Sequence, residues 1–133
     1  MKTDQIWANL AVADLARTER FYLALGLAPN GKASTELVSF LFSGKDFVIH
    51  FFERSKIEQS TQTTFTLPDG ASEVMFSLSA ANEQEVQRWL ELAGSAGGTI
   101  FREASRDDQG FFWGGFADPD GHRFNVLLIE DGM

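Results

Sequence analysis

The strongest constraint in this sequence is that one series of structural signals occurs twice. Ile6 to Val12 alternates as a strand, and Asp14 offers an N-cap for a helix reaching about Leu25. Leu15, Phe21, Tyr22 and Leu25 give that helix its apolar stripe, and Gly26 sits where a terminating glycine is expected. A Pro29-Asn30-Gly31 turn leads to strand-like runs at Glu36 to Phe42 and Asp46 to Phe52, joined by a tight Ser43-Gly44-Lys45 connection. The series then restarts. Glu73 to Ser79 reads as a strand, and Asn82 with Glu85 begins a helix in the manner of a capping box. Val86, Trp89, Leu90 and Ala93 follow at helical spacing, and Gly94, Gly97 and Gly98 end the run. Runs at Thr99 to Glu103, Phe111 to Ala117 and Arg123 to Ile129 complete the second set, with Asp118-Pro119-Asp120-Gly121 turning between the last two.

The halves share element order rather than letters. The expected class is therefore α+β, two βαβββ modules in a single domain over 1–133: the first over 4–53, a polar linker loop over 54–70, the second over 71–131. A connection of that length is expected to be either a functional loop or a mobile linker.

Alternation along strands sorts the side chains into two faces. Ile6, Ala8, Leu10 and Val12 oppose Trp7 and Asn9; Phe47, Ile49 and Phe51 oppose Val48, His50 and Phe52. In the second half Val74, Phe76 and Leu78 oppose Glu73, Met75 and Ser77, and Phe124, Val126 and Leu128 oppose Arg123, Asn125 and Leu127. The first face of each pair is uniformly apolar and should pack on the helices. The second mixes large apolar groups with sparse polar ones, which is the composition of a ligand cavity rather than of a solvated sheet surface. A protein–protein contact is the competing reading of that face.

Composition narrows the function. Hydrophobic content of 44% and charged content of 23% fit a globular protein. Eleven Lys and Arg against nineteen Asp and Glu leave a net charge of −8, which argues against nucleic acid as a partner. With no Cys, disulfides, zinc–thiolate sites and Cys nucleophiles are excluded, in keeping with a cytoplasmic location. No apolar run approaches the ~20 residues of a membrane span, so no membrane partner is expected. On the mixed face Glu73 is the only acid, and Arg123 offsets it, so the acidity belongs to the exterior.

Other clusters carry two readings each. Phe111-Phe112-Trp113-Gly114-Gly115-Phe116 is either a platform for a flat ligand, with the glycines admitting close approach, or a strand supplying core and a dimer contact. Asp107 and Asp108 read as a solvated loop before a cation site, and His122 as a turn residue before a catalytic one. Neither a nucleophile elbow nor a phosphate-cradling glycine motif is present.

Two stretches carry a family resemblance. Ile6-Trp7-Ala8-Asn9-Leu10-Ala11-Val12-Ala13-Asp14-Leu15, with Phe21-Tyr22 and Leu25-Gly26, is the first; Phe116-Ala117-Asp118-Pro119-Asp120-Gly121-His122-Arg123-Phe124-Asn125-Val126 is the second. Together they resemble the vicinal oxygen chelate superfamily of glyoxalases, bleomycin-resistance proteins and extradiol dioxygenases, more narrowly a glyoxalase-like branch without a settled reaction. The resemblance implies two βαβββ modules with curved mixed sheets around a cleft, a small-molecule ligand and a homodimer. It implies metal positions at Trp7, His50, Glu73 and Asn125, all on the mixed face.

Of these only His50 and Glu73 are ordinary ligands, because an indole N–H only donates and an amide carbonyl is a weak substitute for a carboxylate. Two ligands are fewer than the three of catalytic zinc sites, so the set weighs against a bound divalent metal. The expected site is then Glu73 and His50 as catalytic groups and the only metal ligands, with Trp7, Asn9, Phe52, Met75, Arg123 and Asn125 lining the ligand. Glu73 or His50 would serve as general base, the carboxyl raised by its aromatic surroundings. Two activities stay open: a glyoxalase-like lyase or isomerase with a degenerate metal site, and a non-catalytic protein sequestering its ligand like bleomycin-resistance proteins. For Glu73 the simpler expectation is an ion pair with Arg123; for His50, a neutral imidazole hydrogen-bonded among rings.

Overall fold

The computed structural model describes residues 1–132 as two compact units, one over Met1–Thr66 and one from Leu67 onward. Each holds one four-stranded mixed sheet. The first is built from β1 (Ala8–Val12), α1 (Leu15–Ala24), β2 (Ala28–Pro29), β3 (Leu37–Phe42) and β4 (Phe47–Glu53), in the strand order β1-β4-β3-β2. The stretch expected to be loop throughout contains α2 (Arg54–Thr61). The second unit follows with β5 (Met75–Ala80), α3 (Glu83–Ser95), β6 (Thr99–Arg106), β7 (Phe112–Ala117) and β8 (Arg123–Leu128), in the order β5-β8-β7-β6. In both, the first strand runs parallel to the last and the remaining neighbours are antiparallel. The fold is the expected α+β pair of βαβββ modules.

Asp14 Oδ1 accepts from Arg17 N at 3.1 Å and opens α1. Asn82 Oδ1 accepts from Glu85 N at 2.8 Å, and Glu85 Oε2 accepts in return from Ala81 N at 2.6 Å, one residue before the cap. Glu53 caps α2, accepting from Ser55 N and Lys56 N at 3.3 Å, and only Ile57 of that helix is buried. One apolar residue makes no stripe, so periodicity has nothing to register there.

The apolar parity set forms the cores. In the first unit Phe21, Tyr22, Phe40, Ile49 and Phe51 are at most 1% exposed, with the Tyr22 and Phe51 rings stacked at 4.5 Å. In the second, Phe116, Phe124 and Val126 are fully buried with Val86 of α3. Two residues of that apolar set are exposed because pairing stops short of them. The first β1 and β5 pairs are Ala8 with Ile49 and Met75 with Arg123, so Ile6 and Val74 lie beyond the ladders at 76% and 55% exposure.

The aromatic run at 111–116 supplies core rather than a ligand platform: Phe112 and Phe116 are buried, and the glycines admit the chain's own side chains. A Cβ on Gly114 would meet Leu90 Cδ1 at 2.5 Å and the Ala104 backbone at 3.2 and 3.3 Å, whereas one on Gly94 would find nothing closer than 3.8 Å. Gly114→Ala should cost about 1–3 kcal/mol in urea melts. Gly94→Ala, in a helix turn with room, should stabilise by about 0.5–1 kcal/mol.

Candidate functional site

In the first unit, register places the mixed-face residues side by side across β1, β4 and β3. Asn9 pairs with His50 and His50 with Ser39, and two residues along Ala11 pairs with Phe52 and Phe52 with Leu37. Trp7, just ahead of β1, is half exposed and meets the His50 ring edge-on at 6.3 Å; Phe52 also meets that ring edge-on, at 6.1 Å. The imidazole thus has two aromatic neighbours on the face opposite the buried Ile49 and Phe51. Its Nδ1 lies 2.8 Å from Ser39 Oγ, and Asn30 Nδ2 donates to the same oxygen at 3.1 Å. Burial holds His50 below its ordinary pKa, which favours the neutral ring.

In the second unit Glu73, Met75 and Arg123 line an open hollow of about 350 Å³ with Gly70, Ser72 and Val74. Met75 and Arg123 are cross-strand partners, and Glu73 precedes β5 in the exposed segment, so within its unit no aromatic enclosure surrounds it. The ion pair considered for Glu73 is not formed among the described residues. Arg123 instead lies 4.8 Å over the Phe101 ring and donates from Nη2 to Gly70 O at 3.3 Å. Asn125 pairs with Ser77, whose hydroxyl donates to Asn125 Oδ1 at 2.6 Å.

Sequence reasoning misses Ser39, Asn30 and Phe101. The first two reach His50 through strand register, which the letters of one strand do not carry, and the third is marked only by the space above Gly115, which the Phe101 ring fills. Asp107 is a turn organiser: its carboxylate accepts from Gln109 N, Phe111 N and Trp113 Nε1, each at 3.0 Å. Desolvation would raise that carboxyl, but these bonds and the Arg102 charge outweigh it and hold it below the usual range. Asp118, only 3% exposed, accepts from Asp120 N and His122 N at 2.9 Å, which accounts for the turn around His122. A second hollow, about 450 Å³, lies between α3 and β6 and contains none of the expected site residues.

The residues do not fit the metal the resemblance implies. Each unit supplies one ordinary ligand, His50 or Glu73; Trp7 can only donate, and Asn125 offers a neutral amide oxygen that already accepts from Ser77. Among the described residues no three His, Cys, Asp or Glu side chains gather into a set able to hold a metal ion. Nor is any helix among them long and apolar enough to cross a membrane.

Known structures share this architecture. A hypothetical protein of S. aureus superimposes with a TM-score of 0.84 at 29% identity, covering 97% of this chain and 96% of that one. A glyoxalase-related enzyme from Fulvimarina pelagi gives 0.81 at 23% identity, covering 96% and 89%. A glyoxalase/bleomycin resistance protein/dioxygenase family enzyme from Burkholderia phytofirmans gives 0.79 at 15%, covering 93% and 97%. At the identities of these last two the likeness concerns the fold alone. No curated protein matches the chain in sequence. The model of the Glyoxalase/Bleomycin resistance protein/Dioxygenase superfamily matches residues 5–126, and the chain belongs to that superfamily.

Proposed function

We propose that this protein binds a small, flat organic molecule against the open face of its first unit, without a metal held by its own side chains. Trp7 and Phe52 are the apolar walls, and His50 and Asn9 the polar contacts. The observation that carries this reading is the ring trio itself: two aromatic groups edge-on to one imidazole at 6.3 and 6.1 Å, with Trp7 50% exposed, on the face opposite the buried Ile49 and Phe51. Sequestration in the manner of bleomycin-resistance proteins is the simplest activity consistent with it, in a homodimer as the family resemblance implies and in the cytoplasm, in keeping with the lack of Cys.

Coumarin, flat and carrying one carbonyl, is a suitable probe. Calorimetric titration should show saturable binding, and Trp7→Ala should weaken it by about tenfold or more while leaving the melting temperature nearly unchanged. Equal binding by the two proteins would refute the reading.

A second reading rests on Glu73, whose carboxylate stands at the hollow with Arg123 and Met75 and forms no ion pair with Arg123 among the described residues. There it would act as general base in a glyoxalase-like proton transfer. Glu73→Gln separates the two, since it should abolish turnover of a substrate in the second case and leave coumarin affinity intact in the first.

A further inference from the structure

We infer that Asn30 and Ser39 are positioning residues that fix His50 as its Nε2–H tautomer, so that the first unit offers a ligand a hydrogen-bond donor and selects for a carbonyl or carboxylate oxygen. The ligand class rests on the binding reading above; the tautomer does not. Ser39 is 7% exposed and its hydroxyl has one proton to place. Asn30 Nδ2, 3.1 Å away, can only donate, so Ser39 Oγ accepts there. The Ser39 proton then needs an acceptor, and His50 Nδ1 stands at 2.8 Å. Were Nδ1 protonated, Oγ would accept twice and its own proton would be buried without a partner, the arrangement folded proteins avoid. The Asn30 backbone N–H donates to Ser39 O at 2.8 Å, which holds the two side chains together.

With Nδ1 accepting, Nε2 carries the proton. It has no lone pair for a metal or for proton abstraction. Trp7 Nε1–H, on the same face, is likewise only a donor. A flat molecule with an acceptor oxygen suits this pair, and a cation does not.

The test is a long-range proton–nitrogen correlation on the whole ¹⁵N-labelled protein at neutral pH. Only two histidines are present, and His122→Asn assigns them. Wild type should show His50 with Nε2 protonated and Nδ1 bare. Asn30→Asp should invert the pattern, because a carboxylate can only accept: it takes the Ser39 proton, and Ser39 Oγ then accepts from Nδ1–H. Ser39→Ala should leave a mixture. A wild-type Nδ1–H ring, or an unchanged pattern in Asn30→Asp, overturns the inference whatever coumarin does. The expected tautomer with no preference for coumarin over naphthalene, a flat ring system without oxygen, would sink the ligand class alone.

Discussion

Phe51→Ala should destabilise the protein by about 3–5 kcal/mol, while Phe52→Ala, one residue on, should cost less than about 2 kcal/mol. The two side chains are chemically identical and leave the same strand on opposite faces. Phe51 is fully buried, stacked on Tyr22 at 4.5 Å and edge-on to Phe40 at 6.4 Å, so its removal opens a cavity that its packed neighbours cannot collapse into. Phe52 is half-buried and borders the His50 ring, so its removal trims a surface. Urea denaturation followed by circular dichroism measures both losses. The binding data should run the other way, with coumarin affinity falling in Phe52→Ala and surviving in whatever fraction of Phe51→Ala remains folded. Comparable stability losses would mean that the mixed face is a second core, and the ligand reading would fall with it.

That contrast is legible in the amino-acid sequence alone, because a period of two needs only the letters of one strand. What depends on pairing between strands is not. A three-residue Ser43-Gly44-Lys45 turn would set His50 opposite Val38. The actual connection runs from Ser43 to Asp46, with Ser43 and Gly44 at φ of 51° and 64° and Asp46 N donating to Ser43 O at 3.0 Å, and it sets His50 opposite Ser39. One residue of loop length decides whether the histidine meets an isopropyl group or a hydroxyl. The aromatic run at 111–116 is ambiguous for a related reason. Glycine beside large rings is compatible with a ligand or with the chain's own neighbours, and only the placement of Leu90 and Phe101 shows which of them occupies the space. Motif residues behave differently. Asp118-Pro119-Asp120-Gly121 reads as a turn through its Pro and Gly, but the buried Asp118 carboxylate is what gathers the Asp120 and His122 N–H groups.

In the second unit Phe116→Ala should cost about 3–5 kcal/mol, more than its area alone accounts for. Phe116 is fully buried between Phe124, stacked at 5.1 Å and 10°, and Trp89 of α3, at 6.3 Å and 10°. Phe124 in turn packs on Phe76 at 5.6 Å, so the row of rings ties the helix to β7, β8 and β5. Each stacked pair contributes about 0.5–1.5 kcal/mol beyond burial, and that part is lost even when volume is restored. Phe116→Leu should therefore recover much of the deficit while remaining about 1–2 kcal/mol below wild type. A double-mutant cycle between Phe116→Ala and Trp89→Ala isolates the helix contact, with a coupling of about 0.5–1.5 kcal/mol expected. Additive losses would show that Trp89 merely covers the sheet, and the packing of α3 would then rest on Val86, Leu90 and Ala93 alone.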